Sequence, residues 1–109
     1  MREAESFVSL AEAVGEGRLS AREFKLLCRP LFRFSQCQFR SREEYLAARD
    51  LFFVSDDYWD GEGDPPPGLL TSGEVRSKAA EIAVRLRSAM AEDEERTRRQ
   101  EAAPGESST

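Results

Sequence analysis

Asp56, Asp57, Asp60, Glu62 and Asp64 fall within nine positions of the stretch FFVSDDYWDGEGDPPPG, Phe52 to Gly68, and no basic residue interrupts them. Carboxylates this dense suit four roles: cation ligands, an acid–base pair, a docking surface for a positively charged partner, or a solvated connection. An EF-hand alignment from Asp56 puts Asp60, Gly61, Glu62 and Asp64 at loop positions 5, 6, 7 and 9. It also puts Tyr58 at position 3 and Pro67 at position 12, where the bidentate glutamate belongs, so no metal is expected. Carboxylate acid–base chemistry needs two groups facing each other across a pocket with their pKa values pushed apart. Neighbours on a helix, as Asp56 and Asp57 would be, point about 100° apart.

Other chemistry is restricted by what the chain lacks. It has no histidine, and its two cysteines, Cys28 and Cys37, stand nine positions apart. That spacing excludes the usual Cys/His zinc sites and a CxxC redox pair. The expected roles are a buried thiol at Cys28 and an incidental one at Cys37. Without histidine, the common neutral-pH general base is missing. No GxGxxG, P-loop or nucleophile elbow is present. The expectation is a non-enzyme without a cofactor.

Docking remains, against the alternative of solvated acids with Tyr58 and Trp59 as core caps. Aromatics dominate interface energy, and clustered acids speed association with a basic partner. The charge asymmetry is marked: residues 18–40 carry +5 and residues 41–68 carry −6 in a chain of net charge −5. Arg22, Lys25, Arg29 and Arg33 form one stripe at helical spacing. The stripe is a phosphate-binding surface, the wet side of an amphipathic helix, or a counterpart to the acidic loop in the same or another chain. Overall acidity and the lack of interleaved aromatics oppose direct nucleic-acid binding.

These residues must be positioned by helices. Phe7, Leu10, Ala11 and Val14 predict a helix over 3–15, ended by Gly15 and Gly17. Ser20 with Glu23 forms a capping box, with Leu19 and Phe24 as a hydrophobic staple, so a second helix starts at Ala21. Its expected apolar stripe is Phe24, Leu27, Cys28 and Leu31, with a kink or early end at Pro30 and irregular chain through SQCQF. Ser41 with Glu44 starts a third helix, about 42–57, carrying Tyr45, Leu46, Ala48, Phe52 and Phe53. Thr71 with Glu74, and Leu70 against Val75, start a fourth along Val75, Ala79, Ile82, Leu86 and Ala89. Its apolar stripe fades near Glu92, beyond which its first part could continue as a frayed, charged extension. No alternating β-branched run competes. The predicted fold is all-α: a small antiparallel four-helix bundle over residues 1–91, with a disordered charged C-terminal tail over 92–109.

Three segments carry a family resemblance: GEGRLSAREF, LFFVSDDYWD and TSGEVRSKAAEIAVRL. Together they resemble the colicin D immunity family, small acidic bacterial proteins that protect a producer cell from its own tRNA-cleaving toxin. The likeness spans about Glu5 to Met90; Pro30, the arginine-rich second helix, the triple proline and the charged tail depart from the pattern. The resemblance implies a four-helix bundle whose acidic surface covers the basic active site of the toxin's nuclease domain. It carries over to Asp56, Asp57, Asp60 and Tyr58, at the end of the third helix. Charge and expected exposure add Glu62, Asp64, Glu43 and Glu44. The expected protein is a cytoplasmic tRNase inhibitor, monomeric when free, with no signal pattern in MREAESFVSLAEA and no membrane contact. The alternatives are a helical nucleic-acid-associated regulator working through the basic stripe, and a non-enzymatic adaptor.

Overall fold

The computed structural model describes residues 3–35 and 39–102, and they form four helices. Helix α1 is Glu3–Gly15, α2 Ala21–Ser35, α3 Arg42–Asp56 and α4 Ser72–Ala102. The starts follow the capping chemistry. The Glu23 N–H donates to Ser20 Oγ at 3.1 Å, and the Ser20 N–H donates back to Glu23 Oε1 at 3.1 Å. Thr71 and Glu74 make the same exchange at 3.2 and 3.0 Å. At α3 the Glu44 N–H donates to Ser41 Oγ at 3.2 Å.

The end of α1 is a Schellman motif. Gly17 takes φ +79°, its N–H donates to Val14 O at 3.1 Å, and the Arg18 N–H donates to Ala13 O at 2.8 Å. Gly15 has a different task. A Cβ there would lie 3.1 Å from Ala80 Cβ and 3.2 Å from Ala80 Cα, so the missing side chain lets α1 approach α4 closely. Gly15→Val is expected to lower stability by about 1–3 kcal/mol, measured by urea unfolding, because helical backbone at Ala80 cannot yield as a rotamer would.

The helices form an antiparallel four-helix bundle. Glu12 of α1 meets Arg87 of α4, while Gly15 meets Ala80. Along α3 and α4, Asp50 pairs with Arg85 at 2.8 Å. Phe32 of α2 stacks on Phe52 at 5.0 Å and on Tyr45 at 6.1 Å, both from α3 or its first turns. Phe7, Val14, Phe24, Cys28, Leu51, Val75 and Leu86 fill the centre. Among the described residues there is no strand, only an isolated parallel bridge between Tyr58 and Leu70.

Two expectations need correction, and the choice of a kink or an early end at Pro30 is narrowed by the exclusion of the early end. Helix α2 runs through Pro30 to Ser35 without ending early. Pro30 and Leu26, whose carbonyl the absent N–H leaves unmatched, both face solvent, where water can take the carbonyl. The buried stripe of α2 is Ala21, Phe24, Cys28 and Phe32, while Leu27 is 51% exposed. On α3 the buried positions are Glu44, Ala47, Ala48, Leu51, Val54 and Ser55, so Phe53 lies outside the core and carries Arg49 over its ring at 5.6 Å.

Helix α4 has 31 residues, about 46 Å at a rise of 1.5 Å per residue, and outreaches its partners. The domain boundary expected at residue 91 therefore falls inside a continuous helix. Its last turns carry Arg99–Glu95 at 2.7 Å, while Asp93 meets Arg96 at 3.8 Å and Arg40 at 3.9 Å. Of the tail expected over 92–109, residues 103–109 lie outside the described residues, as do residues 36–38, including Cys37, of the irregular chain expected through SQCQF. Among the described residues no helix is long and apolar enough to cross a membrane.

Three glutamates tie the fold to pH. Glu12 is held below its usual 4.5 chiefly by the hydrogen bond from Arg87. Glu23 is lowered by the backbone and then the side chain of Ser20, and Glu74 likewise by Thr71. Each ionises more readily folded than unfolded, so its contribution is complete above 4.5 and is lost as pH falls through the lower folded value. The urea midpoint is expected to drop between about pH 5 and about pH 3, and Glu12→Gln is expected to shrink that drop.

Candidate functional site: the acidic end of helix 3

The candidate site is built on the last turn of α3 and the segment that leads to α4. Asp57 is the C-cap of α3, with φ −84° and its N–H donating to Phe53 O. The chain then folds into a loop closed at its neck. The Trp59 N–H donates to Leu70 O at 2.9 Å, and the Leu70 N–H donates to Asp57 O at 2.8 Å. Residues 59–69 thus hang from a hydrogen-bonded base, with Tyr58 and Leu70 packed against the core.

Lys25 of α2 is the clamp on this base. Its Nζ donates to Asp56 O at 3.2 Å and Tyr58 O at 3.1 Å, placing a cation where the carbonyls of α3 run out. The rest of the basic stripe meets the acids directly. Arg29 pairs with Asp56 at 3.0 Å, and Arg22 lies 3.7 Å from Asp60. These groups border an open groove of about 440 Å³ between α2 and the end of α3, which Leu26 and Pro30 also line.

The basic stripe and the acidic loop therefore lean on one another within the chain, one of the relations left open by the sequence. Asp56 and Asp60 are partly neutralised by arginine. Asp57 is half-buried, whereas Glu62 and Asp64 are exposed beyond the neck. No ion pair is formed by Asp57, Glu62 or Asp64 among the described residues. Tyr58 and Trp59 are half-buried caps and not exposed anchors. The Trp59 indole lies across Gly61, where an added Cβ would come 2.3 Å from the ring, so Gly61 leaves room for it.

Two expected members do not join the site. Glu44 is 1% exposed, which removes the exposure on which its inclusion rested. The glutamate of the capping box points into the bundle because position 44 lies on the same face as Ala47, Ala48 and Leu51. Glu43 is exposed, but it stands in the first turn of α3, thirteen residues or about 20 Å along the helix from Asp56. It borders a separate groove with Leu46, Val84 and Glu92.

The basic stripe offers little to a phosphate backbone. Three of its four cations are engaged, leaving Arg33 without an ion pair among the described residues. No group of three or more His, Cys, Asp or Glu among the described residues is placed to hold a metal ion. Cys28 is buried, and burial pushes its thiol up to about 11 against a partly offsetting hydrogen bond with Ser55. It is protonated at neutral pH and is therefore a poor nucleophile. Leu70 and the grip of Lys25 on the backbone carbonyls of Asp56 and Tyr58 are what residue types alone did not reveal. Their roles arise only when the chain returns to the end of α3.

No known protein family, curated protein or solved structure matches the chain.

Proposed function

We propose that this chain is a non-enzymatic binding protein that presents the acidic loop to a basic surface on another protein, as an immunity protein does to a bacteriocin-type tRNase. In this reading it blocks the nuclease by covering the basic site where the tRNA backbone would lie, inside the cell that produces the toxin. Asp57, Glu62 and Asp64 supply the outward charge. Asp56, Tyr58 and Asp60, clamped by Lys25, Arg29 and Arg22, hold that charge in place.

The observation that carries the proposal is the position of Asp56 and Asp57. Both acids sit at the C-terminal end of α3, where the helix dipole disfavours negative charge by about 0.3–1 kcal/mol each. A fold selected for stability alone would place lysine or arginine there. Instead α3 has no basic residue in its last turn, and cations from α2 offset the acids. Local rules broken in this way concentrate at functional sites. The closed neck supports the same reading, because a loop ordered before binding loses less entropy on docking.

The test is inhibition of tRNA cleavage by a nuclease domain encoded beside this chain. Stoichiometric suppression by the wild-type protein is expected. Cleavage that proceeds unchanged with the protein in excess would overturn the proposal.

A further inference from the structure

Trp59 is the chain's single tryptophan, and it is half-buried where the acidic loop leaves its neck. Its Nε1 atom is buried and has no hydrogen-bond partner among the described residues. Arg49 Nε is in the same state, but that guanidinium reaches Asp50 through a second nitrogen. An indole has one donor and no acceptor, so Trp59 has no second polar group to compensate. Buried tryptophan N–H groups normally find a partner, because burial strips away the water that would otherwise accept the hydrogen bond.

The folded-in position of the ring depends on Gly61. A Cβ there would stand 2.7 Å from Cη2 and 2.8 Å from Cε2 of the indole, well inside contact distance, and the ring would have to give way. The chain around it is held. The Trp59 N–H donates to Leu70 O at 2.9 Å, and Asp60 lies 3.7 Å from Arg22. Beyond Gly61 the tip stands clear, since a Cβ at Gly63 or Gly68 would meet nothing within 4 Å. The side chain can therefore leave its place by rotating about its own bonds while the neck stays closed.

We propose that Trp59 is a latch, folded against Gly61 in the free chain and swung out when the acidic loop docks. Its indole then enters the basic partner's surface as an anchor, and its N–H donates to an acceptor there. The inference rests on the docking reading and adds the residue that secures the grip. Asp57, Glu62 and Asp64 flank Trp59 in the chain and draw a basic surface to it, but they supply charge and no apolar contact. Tryptophan is among the side chains that most often dominate interface energy. Rotamer changes at interfaces are common even where backbones stay still. Swinging out also breaks no hydrogen bond of the side chain, because the N–H has none to lose.

With a single tryptophan, incorporation of 5-fluorotryptophan gives one fluorine NMR signal that reports on this ring alone, even in a complex. In the free chain, Gly61→Ala is expected to drive the ring out, moving the signal toward that of free 5-fluorotryptophan with the helical circular dichroism unchanged. Adding the unlabelled nuclease domain encoded beside this chain is expected to move the wild-type signal as well. Gly61→Ala is expected to bind that domain about tenfold more tightly, as an outward ring populated at about 10% in the wild type requires. Trp59→Phe, which keeps a ring but has no N–H, is expected to bind about tenfold more weakly. A ring that only caps the core predicts the opposite for Gly61→Ala, a looser loop and weaker binding. An unmoved signal in either experiment, Gly61→Ala binding no tighter than the wild type, or Trp59→Phe binding as well as it, overturns the latch and leaves the docking reading standing. A domain that does not bind the wild type at all overturns both.

Discussion

Phe7→Ala should lower the unfolding free energy by about 3–5 kcal/mol, the usual loss when a buried phenylalanine is truncated. Phe7 is fully buried in α1, meets Phe32 edge-on at 6.2 Å and lies 5.5 Å from Phe39. It therefore joins α1 to α2 and to the segment entering α3. A domain of 109 residues has roughly 5–15 kcal/mol of stability in total. The loss is thus about a fifth of the whole or more, larger than any exposed ion pair here contributes at about 0.2–1 kcal/mol. Urea unfolding followed by circular dichroism measures it. A loss below about 1 kcal/mol would mean that the aromatic cluster is not part of the core.

The second large effect concerns binding. Removing the charge of the outward acids by Asp57→Asn, Glu62→Gln and Asp64→Asn together should weaken binding of a basic partner by about 100-fold, which corresponds to about 0.9 kcal/mol for each of three solvent-accessible charge pairs. The same variant should be no less stable than the wild type. Asp57→Asn removes a charge that opposes the α3 dipole, and Glu62 and Asp64 are exposed without an ion pair among the described residues. Weaker binding with unimpaired folding separates a docking role from a structural one. Asp56→Asn would not separate them, because it also breaks the pair with Arg29.

The element starts were legible because capping is local: Ser20 with Glu23 and Thr71 with Glu74 declare themselves within four residues. Faces were harder. Helix α2 has apolar residues on two sides, and periodicity alone assigned Leu27 to the core where Phe32 belongs. Nothing local distinguishes the sides, since burial depends on where α1 and α3 lie. Glu44 shows the converse problem. A capping glutamate reads as solvent-facing, yet the packing of Ala47, Ala48 and Leu51 turns its position inward.

The acidic stretch was visible as composition, but not its internal neutralisation. Arg29 and Asp56 are 27 positions apart, and only the antiparallel pairing of α2 with α3 brings them together. The same pairing turns Lys25 from one more basic residue into the clamp of the loop. It also leaves the site smaller and better defined: Asp57, Glu62 and Asp64 on a fixed base, with Glu43 and Glu44 elsewhere.

The central claim is that these three acids engage a basic protein surface. The most direct measurement is the affinity of the wild-type chain and of the triple variant for a nuclease domain encoded beside it, repeated as salt is raised. Tight wild-type binding that weakens steeply with salt, and a variant about 100-fold weaker with little salt dependence, is the predicted result. Equal affinities for the two chains would contradict the account.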